Sequence, residues 1–165
     1  MAKKNEKTNV MRLLDQAKIA YIPHFYDGEG GKLDGVSVAK LLCEPVNRVY
    51  KTLVCRGASG KYCVFVIPVA EELDLKAAAK AAKEKSVAMI PQKELLPLTG
   101  YLHGGCSPIG MKKPFATWID HTALADTRMM MSAGKIGAQV ELDPHALIAF
   151  IGAGTADLTK KGVGE

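Results

Sequence analysis

Val49-Tyr50-Lys51-Thr52-Leu53-Val54-Cys55-Arg56 and Tyr62-Cys63-Val64-Phe65-Val66-Ile67 flank the short run Gly57-Ala58-Ser59-Gly60-Lys61. Two segments rich in β-branched and aromatic residues, joined by small and polar ones, read as an antiparallel hairpin. In the first strand the period of two sets Val49, Lys51, Leu53 and Cys55 on one face and Tyr50, Thr52 and Val54 on the other. Both faces are largely apolar, which places this strand inside a sheet. Lys51 is then the anomaly. A lysine on a buried face needs a partner or loses its charge, which marks a site. On the residues alone the other reading stays open, a lysine near a strand end snorkelling to water.

Upstream, Lys7 to Lys18 carries Val10, Leu13, Leu14 and Ala17 at helical spacing, with Thr8 or Asn9 as cap. Ile19 to Tyr26 is rich in β-formers, and Pro23 makes it an edge strand or a strand that ends in a bend. Asp27 to Gly35, with four glycines, reads as a loop, and Ser37 to Leu42 as a short helix closed before Pro45. Downstream, the alanine-rich Leu73 to Lys85 predicts a helix. Val87 to Ile90 predicts a short strand and Pro91 to Leu96 one or two helical turns. Phe115 to Asp120, Arg128 to Ser132 and Ala138 to Leu142 predict further strands. Asp143-Pro144 opens a last helix that Gly152 ends. The pattern predicts an α+β (mixed α/β) single domain, with a mostly antiparallel mixed sheet surrounded by helices. The domain spans residues 1–152, followed by a flexible, glycine-rich tail over 153–165.

The 165 residues suffice for one domain with a sizeable core, and 48% hydrophobic with 24% charged residues is globular rather than disordered. No apolar run approaches the length of a membrane span, and the basic start leads into no signal-peptide core. Cys43, Cys55, Cys63 and Cys106 show neither paired metal spacing nor disulfide density, and read as reduced thiols of a cytoplasmic protein. His24, His103, His121 and His145 show no metal-binding spacing, so no metal or other cofactor is expected. The net charge of +5 leans toward a polyanionic partner. Lys76, Lys80 and Lys83 share one helix face, which reads as solvated, or with Lys112, Lys113 and Lys135 as a diffuse phosphate-contact surface.

Gly100-Tyr101-Leu102-His103-Gly104-Gly105-Cys106-Ser107-Pro108-Ile109-Gly110-Met111-Lys112-Lys113 is poorly explained by regular structure. Its glycines and proline exclude a helix or an ordinary strand, while its apolar side chains are not those of a solvated linker. It reads as a loop pinned on the core, either a structural turn or a backbone cradle for a ligand. Gly105 to Gly110 is one residue too long for a G-x-S-x-G nucleophile elbow. Cys106 beside His103 lacks the other marks of a thiol enzyme and reads as a core thiol. Ser132-Ala133-Gly134-Lys135-Ile136-Gly137 is a second small-residue loop after a strand, without the glycine offset of a phosphate loop. No Ser-His-Asp, Cys-His or metal arrangement appears that would supply a nucleophile.

Together, Tyr50-Lys51-Thr52-Leu53 and these two loops resemble, in order and spacing, the YbaK family of aminoacyl-tRNA deacylases. Members are free-standing relatives of the editing domain of bacterial prolyl-tRNA synthetases. The resemblance runs over nearly the whole chain, includes Leu73-Asp74-Leu75-Lys76, and lies nearer the Cys-tRNA(Pro) branch than the alanine-specific one. It implies a pocket between the lysine strand and the glycine loops, and hydrolysis of cysteine misattached to proline tRNA. Lys51 matches the family's essential lysine, and Gly104 and Gly105 the loop whose backbone meets the aminoacyl ester. Tyr26, Thr52, Ser107, Ser132 and Lys135 match substrate-side positions. The implied partners are the acceptor end of an aminoacyl-tRNA and prolyl-tRNA synthetase. His103, Cys106, Ala133 and Ile136 depart from the family pattern, Ile136 standing where an arginine is usual. The alternatives are deacylation of another mischarged tRNA, such as Ala-tRNA(Pro), and a non-catalytic module that binds tRNA or a synthetase.

Overall fold

The computed structural model describes residues 6–27 and 34–160. The hairpin forms as its residues require: β2 (Tyr50–Gly57) pairs antiparallel with β3 (Tyr62–Pro68), Lys51 opposite Ile67 and Cys55 opposite Cys63. Gly60, at φ 93°, supplies the left-handed turn residue. β4 (Val87–Met89) pairs antiparallel with the far end of β2, and β5 (Ala116–Asp120) lies parallel to β3. The resulting five-stranded sheet has the order β4-β2-β3-β5-β8, where β8 is Gly154–Ala156. A second, three-stranded antiparallel sheet has the order β1-β7-β6, from Tyr21–Phe25, Ala138–Leu142 and Met129–Ser132. Strand β1 is an edge, as Pro23 requires. The mixed, mostly antiparallel α+β architecture read from the sequence is thus present, divided between two sheets. A single parallel bridge, Val49 to Met130, ties them together.

The helices fall where their caps put them. α1 (Asn9–Gln16) starts at Thr8, whose Oγ1 accepts the Met11 amide at 3.2 Å. It buries Val10, Met11 and Leu14 in the main core, with Tyr50, Val54, Met131, Val140 and Leu147. α2 (Gly35–Leu41) is capped by Asp34 and packs Ala39 against Val49, Val69 and Met130. α3 (Leu75–Ala82) lays Ala78 and Ala79 on the other face of the larger sheet, against Cys55, Cys63 and Phe65. Its Lys76, Lys80 and the following Lys83 are exposed, the solvated reading of that face. α4 (Leu95–Thr99) leads into the glycine loop, and α5 (Pro144–Ile151) is capped by Asp143 and ends at Gly152. The predicted loop at Asp27 to Gly35 lies mostly outside the described residues.

The flexible tail expected from residue 153 is corrected. Gly154–Ala156 is β8, parallel to β5, and Leu158 is fully buried. The buried Asp120 carboxylate accepts the Leu158 amide at 2.8 Å through Oδ1 and the Thr122 hydroxyl at 2.6 Å through Oδ2. Three residues without hydrophobic alternation carry no strand signal of their own; non-local pairing makes them a strand. Deleting residues from Ala153 onward is expected to lower unfolding free energy by about 3 kcal/mol or more, from the lost leucine burial and the Leu158 amide bond taken from the Asp120 carboxylate. Denaturant titration of the shortened chain checks this.

Candidate functional site

The two sheets leave a gap. Val69 N–H donates to the Val49 carbonyl at 2.9 Å on the β3 side, whereas Ile90 N–H donates to the Val54 carbonyl at 3.2 Å on the other side. Odd-numbered residues of β2 therefore bond to β3, and the main-chain groups of Thr52 point the other way. There, β4 pairs only with Cys55 to Gly57, and the bridge to the second sheet lies at Val49, just before β2. Between them the edge of β2 opens on a cavity of about 570 Å3. Its walls include Val36, Val38, Leu53, Val69, Ile90 and Leu95, and its polar lining includes Tyr26, Asp34, Lys51, Thr52, His103, Ser132 and Gln139.

Lys51 enters this cavity half-buried, and among the described residues no hydrogen bond or ion pair holds its ammonium. Burial pulls its pKa below the ordinary lysine value, opposed by the more distant charges of Glu72, Asp34 and Glu71. A poorly solvated cation on a cavity wall attracts a negative or developing negative charge there.

The first glycine loop is pinned on the core. Tyr101, Cys106, Ser107, Pro108 and Ile109 are buried, and the Tyr101 hydroxyl donates to the Ile109 carbonyl. Gly104 lines the cavity at φ 90°, a conformation that L side chains rarely adopt. Gly105 is required for a different reason. A Cβ there would stand 3.0 Å from the Ile136 nitrogen and 3.1 Å from Lys135 main-chain carbons. The two glycine loops touch backbone to backbone.

The remaining predicted site residues divide. Tyr26, Lys51, Thr52, Gly104 and Ser132 all line the cavity. Gly105 does not offer an amide: its N–H donates to the Leu102 carbonyl at 2.9 Å. The lining residues Gly104 and Cys106 have amides with no such bond among the described residues. Ser107 is fully buried, and its Oγ accepts the Ile109 amide at 3.3 Å, a turn contact away from the cavity lining. Lys135 is half-buried in the second loop, outside the lining. Ser132 Oγ accepts the Gly134 amide at 3.1 Å. Burial pushes the Cys106 thiol up to about 12, so at neutral pH it is no thiolate.

Two polar residues of the cavity, Asp34 and Gln139, carry no mark in the sequence. Gln139 is 6% exposed, and its Oε1 and the Thr52 Oγ1 are buried polar atoms without a hydrogen-bond partner among the described residues. Both residues line the same cavity. Orphaned acceptors of this kind wait for donors on a ligand. Gln139→Leu is expected to leave stability unchanged or raised while kcat/KM on the cavity's substrate falls tenfold to a hundredfold. Thermal unfolding beside steady-state kinetics checks both halves.

The description "Aminoacyl-tRNA editing domain" matches residues 34–150. A relative from Enterococcus faecalis, EbsC, is 42% identical over 163 residues, 98% of this chain and 99% of its own. The chain belongs to the aminoacyl-tRNA editing family. EbsC carries the description "Putative Cys-tRNA(Pro)/Cys-tRNA(Cys) deacylase". Among solved structures, a "putative trans-editing enzyme for prolyl tRNA synthetase" superposes with TM-score 0.78 at 22% identity, covering 92% of this chain and 95% of that one. The "hypothetical protein APE2540" superposes with TM-score 0.82 at 22% identity, covering 94% and 100%. These two likenesses establish the fold. The editing-domain match spans α2, β2 and both glycine loops, the elements that enclose the cavity. No helix among the described residues is long and apolar enough to cross a membrane.

Proposed function

We propose that this chain is a trans-editing deacylase that removes cysteine from misacylated proline tRNA. The observation that carries it is one cavity lined both by Lys51, whose ammonium is unpaired among the described residues, and by Gly104 and Cys106, whose amides make no backbone bond there. This arrangement can polarise and position an ester, yet holds no activated nucleophile: the neighbouring thiol is protonated and Ser107 is buried. A cysteinyl ester brings its own nucleophile. Its thiol sulfur bonds to the ester carbonyl carbon, and the carbon–oxygen bond to the terminal ribose breaks. The thiol proton passes to the departing ribose oxygen, leaving a four-membered thiolactone and free tRNA. The protein's part is to hold thiol and carbonyl in line and stabilise the oxyanion. The close relative's description supports the substrate class, and prolyl-tRNA synthetase is the partner that would select proline tRNA.

The test is deacylation of Cys-tRNA(Pro), Cys-tRNA(Cys), Ala-tRNA(Pro) and Ser-tRNA(Pro) side by side. Loss of cysteine alone, with trapping of the thiolactone, is the expected result. Preferential loss of alanine overturns the thiol-assisted route, because alanine has no internal nucleophile. Loss of none moves the chain to the binding-module reading.

A further inference from the structure

A second group of side chains lies on the same face of the smaller sheet as Gln139. His24 of β1 and Glu141 of β7 are joined by a 2.8 Å contact between Nε2 and Oε1. Glu44 reaches them from the turn after α2, where Cys43, a non-glycine residue at φ 58°, reverses the chain and the Glu44 amide bonds to the Ala39 carbonyl at 2.9 Å. One ligand atom from each of the three residues lies within 4.8 Å of the others, and all three residues are half-buried. Among the described residues nothing else balances the charge: no hydrogen bond or ion pair reaches the Glu44 carboxylate, and Glu141 is met only by the imidazole. Two half-buried carboxylates held this close repel unless a cation lies between them. His24 also stands opposite Gln139 in the β1–β7 ladder, so the buried, unpartnered Oε1 of Gln139 belongs to its immediate cross-strand neighbour.

We propose that His24, Glu44 and Glu141 form a binding site for a first-row divalent cation, Zn2+ binding more tightly than Mn2+. One imidazole nitrogen and two carboxylates, brought from three separate elements, are ligands for such an ion, with a further position left for water or an amide oxygen. Spacing along the chain cannot reveal such a set, because its ligands stand at positions 24, 44 and 141. The other carboxylate–histidine group, Asp120, His121 and Asp157, lacks the same character. There Asp120 already accepts from the Leu158 amide and the Thr122 hydroxyl. The cation site is independent of the proposed deacylation. Through Gln139 it adjoins the cavity wall, so a bound ion would tie the end of α2 to β1 and β7 beside the substrate.

The experiment is calorimetric titration of Zn2+ into the metal-stripped full chain, in a Cys43→Ser background that removes the exposed thiol. One equivalent is expected to bind. His24→Ala and Glu44→Gln should each raise Kd at least tenfold, while Asp157→Asn leaves it unchanged. Glu44→Gln preserves size at a half-buried position, so it reports on the site even if His24→Ala fails to fold. Absence of stoichiometric Zn2+ binding overturns the proposal. So does binding that survives Glu44→Gln at the original Kd, or binding that Asp157→Asn weakens as much.

Discussion

Lys51→Ala is expected to fold as the wild type does and to lose deacylation by a factor of about 10^2 to 10^3, the range for removing one preorganised donor at a developing oxyanion. The fold survives because Lys51 contributes no hydrogen bond or ion pair among the described residues. Its charge is partly desolvated, so truncation also removes a strained ion, and the melting temperature stays level or rises. Lys51→Arg does not restore the rate, because a planar guanidinium cannot occupy the position of a compact ammonium. The pH dependence follows from the direction of the shift. Burial lowers the folded-state pKa below the value of 10.5 that the unfolded chain retains, so the Lys51 cation is lost at a pH below 10.5. After subtraction of uncatalysed ester hydrolysis, wild-type activity has an alkaline limb in that range, and Lys51→Ala has none. In the same window the unfolded chain binds more protons at this site than the folded one, so this group's contribution to stability rises with pH. Circular dichroism together with a pH–rate profile checks the set. A folded Lys51→Ala protein with wild-type activity sinks the role.

The helices, the hairpin and the edge strand were legible because their signals are local. Thr8, Asp74 and Asp143 cap helices through their own side chains, and Pro23 confines its strand to an edge. Features made by distant contacts were not. Nothing in Gly154-Thr155-Ala156 announces a strand until β5 offers it a parallel edge. The division into two sheets, and with it the cavity, depends on where β4 stops and where Met130 meets Val49. Gln139 carries no signal of its own, because Ala138-Gln139-Val140-Glu141-Leu142 alternates and such a pattern places polar members toward solvent. That face instead turns toward the cavity and α2, leaving Gln139 buried. Ser107 failed in the opposite sense: it looked available in a glycine loop, but its hydroxyl closes the turn on Ile109. Lys51 was legible as an anomaly because a charge in an apolar strand breaks a pattern. Its relation to the cavity came only with the fold.

Gly105→Val is expected to reduce kcat at least about 10^2-fold while the chain keeps its fold at a cost of about 1–3 kcal/mol. Residue 105 has no contact with substrate in this reading and no amide to give, since its N–H serves the Leu102 carbonyl. Its effect is on position. A Cβ would press on the Ile136 nitrogen at 3.0 Å and on Lys135 main-chain carbons at 3.1 Å, and backbone cannot rotate away as a side-chain tip would. The glycine loops must separate, and the Gly104 and Cys106 amides on either side of residue 105 move with the displaced chain. An oxyanion donor displaced by an ångström loses most of its value to the transition state while still touching substrate. The loss therefore falls on kcat more than on KM, and Gly105→Ala, which asks only a few tenths of an ångström, shows a smaller loss of the same kind. Gly104→Ala separates strain from contact. At φ 90° it is conformationally costly, yet its Cβ would meet only the Ile136 side chain at 3.5 Å, an ordinary contact. If the loop-to-loop contact sets the geometry, unfolding and single-turnover measurements on the three variants rank Gly105→Val lowest in kcat, whatever their order in stability. Wild-type kcat in a folded Gly105→Val protein would show that the loops do not position the reacting groups together.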